Sequence, residues 1–410
     1  MTQGLKEDGP AKGITWVDPR GNPAPPTSTV PLRVTEDPDE ITELVEFCRI
    51  GRIYAVERWI KVGRPIQAKY QDVGPWHHTE TPLVVAIETN QYDLARLLLC
   101  NGYRPELEPQ SVLDLTLRER SWDYLELVLA WGAEPKKVDP WAILDTYQRS
   151  LMDRFWNFGV DFTSDHCLAS YLSSSTRNKP AYGFARRHQD DPRVAYDLAL
   201  ALGDAVLDNR EKAVSLLLWS GADPHRKVPS LKYGSGFEGD PDDDLDSAIE
   251  VAVQMGHGQL LRHLRPDPSV DDFDEMFAWV HDPDALDYLT AHRAPKDWSK
   301  TIVRNASRLS WAWGDRWRSR ECLKRILTDH EGRLGVLSHH ECQDFRRTLL
   351  KWESGDDLRW FLRLLSKPKH CDPDIFAEMI RTPAIRAKMT DVGLLKATPR
   401  KQKRRGKRRR

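Results

Sequence analysis

Residues 81–105 read TPLVVAIETNQYDLARLLLCNGYRP, and this stretch decides the fold. Thr81 places a hydroxyl one residue before Pro82. A side-chain oxygen at a helix N-cap accepts from the free amides of the first turn, and proline at the first helical position loses no hydrogen bond. Leu83, Ala86 and Ile87 then recur at i, i+3 and i+4, one short apolar face. Thr89, Asn90 and Gln91 break that face and predict a turn. Leu94, Leu97 and Leu98 open a second face at the same spacing, and Gly102 ends it where a left-handed residue is needed. Two short helices with one apolar side cannot bury that side alone, so the unit predicts stacking on copies of itself.

The frame recurs. The interval from Thr81 to Gly102 returns unchanged from Ser111 to Gly132, in SVLDLTLRERSWDYLELVLAWGAEP. It returns again from Leu200 to Gly221, in LALGDAVLDNREKAVSLLLWSGADP, and Ser247 opens SAIEVAVQMGHGQLLRHL. Upstream, LVEFCRIGRIYAVERWIKVGRPI ends at Gly63 without a Thr-Pro start, and Trp141–Phe162 reads as a shortened unit. About six units over residues 40–265 follow from this frame, and strict two-residue alternation, the mark of a strand, is missing. The unit resembles the ankyrin repeat: Thr81-Pro82-Leu83, a leucine-rich second helix and a terminal glycine match that family. Gly256-His257 matches the family's inter-helix turn, whereas Val84 and Asn90 stand where the family carries His and Gly. The resemblance implies an all-α, ankyrin-like helical solenoid that recognises another macromolecule through loop tips and the concave face of its first helices, without catalysis.

Residues 1–38 are rich in Pro, Gly and charge and predict a flexible lead-in before an array over 39–265. Residues 266–395 stay helical but lose the frame, which predicts divergent repeats or a cap; terminal units are atypical because one face meets water. Residues 396–410, KATPRKQKRRGKRRR, carry ten Lys/Arg and no acid, so a net charge of −1 for the chain leaves −11 for residues 1–395. Like charges in a block repel, which predicts a disordered tail. Arg400, Lys401, Lys403, Arg404, Arg405, Lys407, Arg408, Arg409 and Arg410 are its polyanion-binding candidates, through counterion release without sequence choice. The rival roles are a nuclear-import signal in a eukaryote, a solubilising tail, or a tail folded onto the acidic body.

The interval from Gly63 to Gly102 exceeds one repeat, and the surplus is Tyr70–Glu80, YQDVGPWHHTE. A second surplus, His225–Asp243, carries Tyr233 and Phe237. Aromatic residues on loops are favoured anchors at interfaces, so Tyr70, Trp76, His77, His78, Tyr233 and Phe237 are the candidates for binding a protein partner; the bland alternative is packing on a neighbouring repeat. Trp311, Trp313 and Trp317 among arginines are expected to pack in the core of the cap.

Other chemistry finds little support. Gly234, Gly236 and Gly239 have G-x-G-x-x-G spacing, but a polar loop precedes them and acids follow, which repel phosphate. Asp240, Asp242 and Asp244 begin like an EF-hand loop, yet Leu245 and Val251 stand where its Gly and Glu belong. Cys322, His330, His339, His340, Cys342, His370 and Cys371 are too loosely spaced for a zinc site, and Asn305 sits in a glycosylation triplet read as incidental. No cofactor, metal or membrane span is expected, and an enzyme hidden in 271–395 is the least supported rival. Scattered cysteines and the lack of an apolar leader predict a cytoplasmic chain, or a nuclear one if the tail directs import.

Overall fold

The computed structural model describes residues 33–69, 80–109, 111–229, 245–295, 297–310, 316–330, 339–351, 355–367 and 383–391, with a few isolated positions between the last segments. The chain is mostly helical. It divides into two compact units between Asp197 and Leu198. No described helix is long and apolar enough to cross a membrane.

In the first unit the helices come in pairs: α1 (Thr42–Arg49) with α2 (Ile53–Lys61), α3 (Pro82–Glu88) with α4 (Tyr92–Cys100), and α5 (Val112–Arg118) with α6 (Trp122–Ala130). α7 (Pro140–Leu144) with α8 (Arg149–Asn157) and α9 (Cys167–Ser174) with α10 (Lys179–Arg187) follow. First helices pack on first helices, α1 on α3, α3 on α5, α5 on α7 and α7 on α9. The expected caps form: the Thr81 hydroxyl accepts from the Val84 amide and the Ser111 hydroxyl from the Asp114 amide.

A backbone signature runs through the first four of these pairs. The turn between the two helices holds one residue at positive φ, Gly51, Asn90, Arg120 or Tyr147. A positive-φ glycine follows at one constant interval, at Gly63, Gly102, Gly132 or Gly159 respectively. Asn209 and Gly221 repeat the interval in the second unit. Each left-handed residue lets the next amide reach back across the helix end, as Gln91 does to the Ala86 carbonyl at 2.8 Å and Ala133 to Val128 at 3.0 Å. Holding Arg120 and Tyr147 there costs about 1–2 kcal/mol each, so the turn geometry outranks the residue's own preference. Tyr147 and Gly159 also give Trp141–Phe162 a regular second half behind a first helix of only five residues.

Three elements depart from the sequence reading. Val34–Thr35 pairs in parallel with Gln67–Ala68, a strand pair too short to show alternation. Cys167–Arg187 forms the pair α9 and α10, built on Asn178, which is fully buried, caps the Ala181 amide and donates to the Leu144 carbonyl at 2.7 Å. Leu200 is no cap: it sits, 1% exposed, inside α11 (Pro192–Leu207), whose first turn begins at Pro192.

The second unit continues with α12 (Glu211–Trp219), α13 (Ala248–Met255), α14 (Gly258–Leu264), α15 (Phe273–Trp279) and α16 (Pro283–His292). α17 (Ser299–Ser310), α18 (Arg316–Thr328), α19 (His339–Lys351), α20 (Gly355–Leu365) and α21 (Pro383–Asp391) complete it. α13 packs on α15 and α15 on α17, while α14 packs on α16 and α16 on α18. Beyond Gly256 the caps are aspartates: Asp272 accepts from the Glu275 amide and Asp282 from Ala285.

Candidate partner-binding site

The residues singled out for partner binding, Tyr70, Trp76, His77, His78, Tyr233 and Phe237, lie outside the described residues, and so do the tail positions from Arg400 to Arg410. The described residues flanking the two insertions are well anchored. Beside the first, Lys69 pairs with Glu36 at 2.5 Å, and Glu80 pairs with Arg49. Thr81 and Tyr103 both donate to one oxygen of Glu108, whose other oxygen, Oε2, is buried without a partner among the described residues. Burial pushes the Glu108 carboxyl up to about 7, against the pull of those two hydroxyls.

Beside the second insertion, Val228 and Asp246 exchange backbone bonds of 3.1 and 3.3 Å as an antiparallel bridge. His225 Nδ1 lies 3.0 Å from both oxygens of Asp271. This bridge forms one wall of a cleft of about 380 Å³ whose other walls are α13 and α15, the first helices of their pairs. Glu250, Val253 and Gln254 face it at i, i+3 and i+4 of α13, and Glu275, Met276 and Trp279 face it from α15.

The charged groups in the cleft are held in place. Glu250 closes a capping box: its Oε2 accepts from the Ser247 amide at 2.7 Å while the Ser247 hydroxyl accepts from the Glu250 amide. Its other oxygen pairs with Lys227 Nζ at 2.9 Å, and this hydrogen bond raises the Lys227 pKa and keeps the amine charged. Gln254 donates to Asp246 at 3.2 Å. The Trp279 indole donates to Glu275 at 2.9 Å, and the Arg304 guanidinium carbon lies 3.5 Å from the centre of that ring. Burial lowers the Arg304 pKa, with Glu275 acting against it. A charged lysine and fixed carboxylates suit ionic recognition; an amine that stays protonated is no base or nucleophile.

Other clusters carry less. His166 Nδ1 lies 3.2 Å from Asp197 with Cys167 next in sequence, the members of a nucleophilic triad. Burial and nearby aspartates push that thiol up to about 12, which disfavours the nucleophilic thiolate. Asn305 is 1% exposed, and its amide donates to the carbonyls of Val280 and Thr301, which closes it to glycosylation. No group of three or more His, Cys, Asp and Glu that could hold a metal occurs among the described residues. Trp317, expected in the core, is 64% exposed, while Trp311 and Trp313 lie outside the described residues.

Sequence reasoning missed the cleft. Its only signals were the position of the second insertion and the apolar spacing of Phe273, Met276 and Phe277, which marks α15. The chain matches no protein-family model and no curated protein.

Proposed function

We propose that this chain is a non-catalytic recognition protein, an ankyrin-like helical repeat array that binds a protein partner through its first helices and the insertions beside them. The observation that carries this reading is the cleft, where two successive first helices and the anchored end of an insertion present Trp279 together with fixed charges. The constant interval between left-handed positions supports the ankyrin-like part of it. A rigid, capped scaffold lowers the ordering cost of association, which favours recognition over chemistry. The buried free thiols of Cys48, Cys167, Cys322 and Cys371 fit a reducing compartment.

The test places a photocrosslinking residue at Gln254 of the full chain and captures partners with and without nuclease. The expected result is one protein adduct that survives nuclease and disappears in Trp279→Ala, with circular dichroism unchanged. Capture lost on nuclease treatment or on deleting residues 396–410, and indifferent to Trp279, replaces this reading with a nucleic-acid protein tethered by its tail, whose affinity falls steeply with salt.

A further inference from the structure

We propose that the cleft receives the guanidinium of an arginine side chain from the partner; this rests on the recognition reading above and names its chemistry. Three carboxylates, Asp246, Glu250 and Glu275, line the cleft against one ammonium, Lys227. Lys227 is committed to Glu250 at 2.9 Å. Glu275 makes no ion pair among the described residues; its one side-chain hydrogen bond there, from the Trp279 indole, orients it beside the ring and leaves Oε2 able to accept. Arg304, stacked on Trp279, offsets part of the excess charge but does not line the cleft.

The lining matches each part of an arginine. Trp279, 37% exposed, offers aromatic surface to a methylene stem and a planar guanidinium, whereas Val253 and Met276 line the cleft as buried side chains. Glu275 offers carboxylate oxygens to its N–H groups, which form charge-assisted bonds of fixed geometry. A volume of about 380 Å³ admits one such side chain without opening the helices. An anionic group would meet three carboxylates, and a neutral one would shut the Glu275 carboxylate away from water without a cation to balance it.

The test follows the Trp279 indole N–H by NMR on the full chain, assigned by its loss in Trp279→Phe. The probes are three blocked tripeptides, Ac-Ala-Arg-Ala-NH2 and its citrulline and glutamate counterparts. The arginine peptide is expected to shift the Trp279 resonance saturably, with the citrulline peptide at least about tenfold weaker and Glu275→Gln weakening the arginine peptide about tenfold, equivalent to about 1.4 kcal/mol. The amide oxygen introduced by Glu275→Gln can still accept from the indole, so the resonance keeps its place in the free variant. Equal binding of citrulline overturns the proposal in favour of an apolar site, and tighter binding of glutamate in favour of an anion site around Lys227. No shift at all overturns the arginine assignment, and a shift seen only after deleting residues 396–410 assigns the cleft to the chain's own tail instead. Each of these can occur while nuclease-resistant capture persists, so the recognition reading stands or falls separately.

Discussion

The helix pairs up to Gly221 and those beyond Gly256 solve the same problem with different means. In the first region the backbone carries the geometry. In every pair there except α9–α10, a left-handed residue ends the first helix, a left-handed glycine ends the second, and the interval between them stays constant even where the turn residue is Arg120 or Tyr147. In the second region side-chain caps continue, but the constant interval between left-handed positions is gone among the described residues. Asp272 and Asp282 cap the helices, Arg318 donates to the Gly256 carbonyl at 3.0 Å, and Arg265 replaces glycine at the left-handed end of α14. Buried polar atoms without partners among the described residues occur in both regions: Glu108 Oε2 in the first, and the Thr301 hydroxyl and the Asn305 amide oxygen in the second. A turn fixed by backbone geometry tolerates sequence drift at its own position, as Arg120 and Tyr147 show.

The most severe way to break the first region is to empty its core. Phe155 is fully buried, edge-on to Phe158 at 5.9 Å, and Phe155→Ala is expected to lower the unfolding free energy by about 3–5 kcal/mol, read by urea denaturation. A loss below about 1 kcal/mol would show that the repeated turns, not the packed core, hold this region.

The next test is a titration. The folded pKa of Glu108 lies near 7, above the usual 4.5, so its contribution to stability is complete below about pH 4.5 and is lost as pH rises through 7. Asp114, pushed up to about 6 by burial, adds a loss of the same sign. Glu108→Gln is expected to shrink the fall in stability between about pH 5 and pH 8 by about 1–3 kcal/mol, measured as urea midpoints at both values. An unchanged pH profile would mean that the carboxyl ionises in the fold without penalty.

A paired substitution sharpens the backbone argument. A Cβ added at Gly132 meets nothing within 4 Å, yet its φ is +91°, so Gly132→Ala is expected to cost about 1–2 kcal/mol from backbone strain alone. Gly203 also has open space but lies inside the helix Pro192–Leu207, and Gly203→Ala is expected to stabilise by about 0.5–1 kcal/mol. Thermal melts of the two variants should therefore move in opposite directions; a common direction would remove conformation as the cause.

The smallest effect belongs to the cleft. Trp279→Leu removes the ring under Arg304 and is expected to cost about 0.5–1 kcal/mol of stability, since the pair is partly exposed. A loss comparable to Phe155→Ala would show that Trp279 is a core residue and not a surface for a partner.

Much of this was legible in the chain because it is local. Thr81, Ser111 and Ser247 announce helix starts by capping amides a turn away, and Gly102, Gly132 and Gly221 announce helix ends by what their own backbone must do. The start of α11 falls outside the frame, where Leu200 occupies the cap position, although Asp191 and Pro192 mark it locally: the Arg193 amide donates to Asp191 at 2.9 Å. The pair at 167–187 was missed because it lacks both left-handed positions of the frame, and its local start, Asn178 capping the Ala181 amide ahead of Pro180, does not repeat the Thr-Pro adjacency.

The sequence by itself determined that this chain is helical, where most of its helices begin and end, and that a basic tail follows an acidic body. These follow from capping, periodicity and charge, which act within a few residues or on the chain as a whole. Only the tertiary structure brought Lys227, Asp246, Glu250, Glu275 and Trp279 to one cleft and set Arg304 against its aromatic wall. Those neighbours come from separate stretches of chain, and no local spacing encodes an encounter that only the packing of α13 on α15 and of α15 on α17 creates.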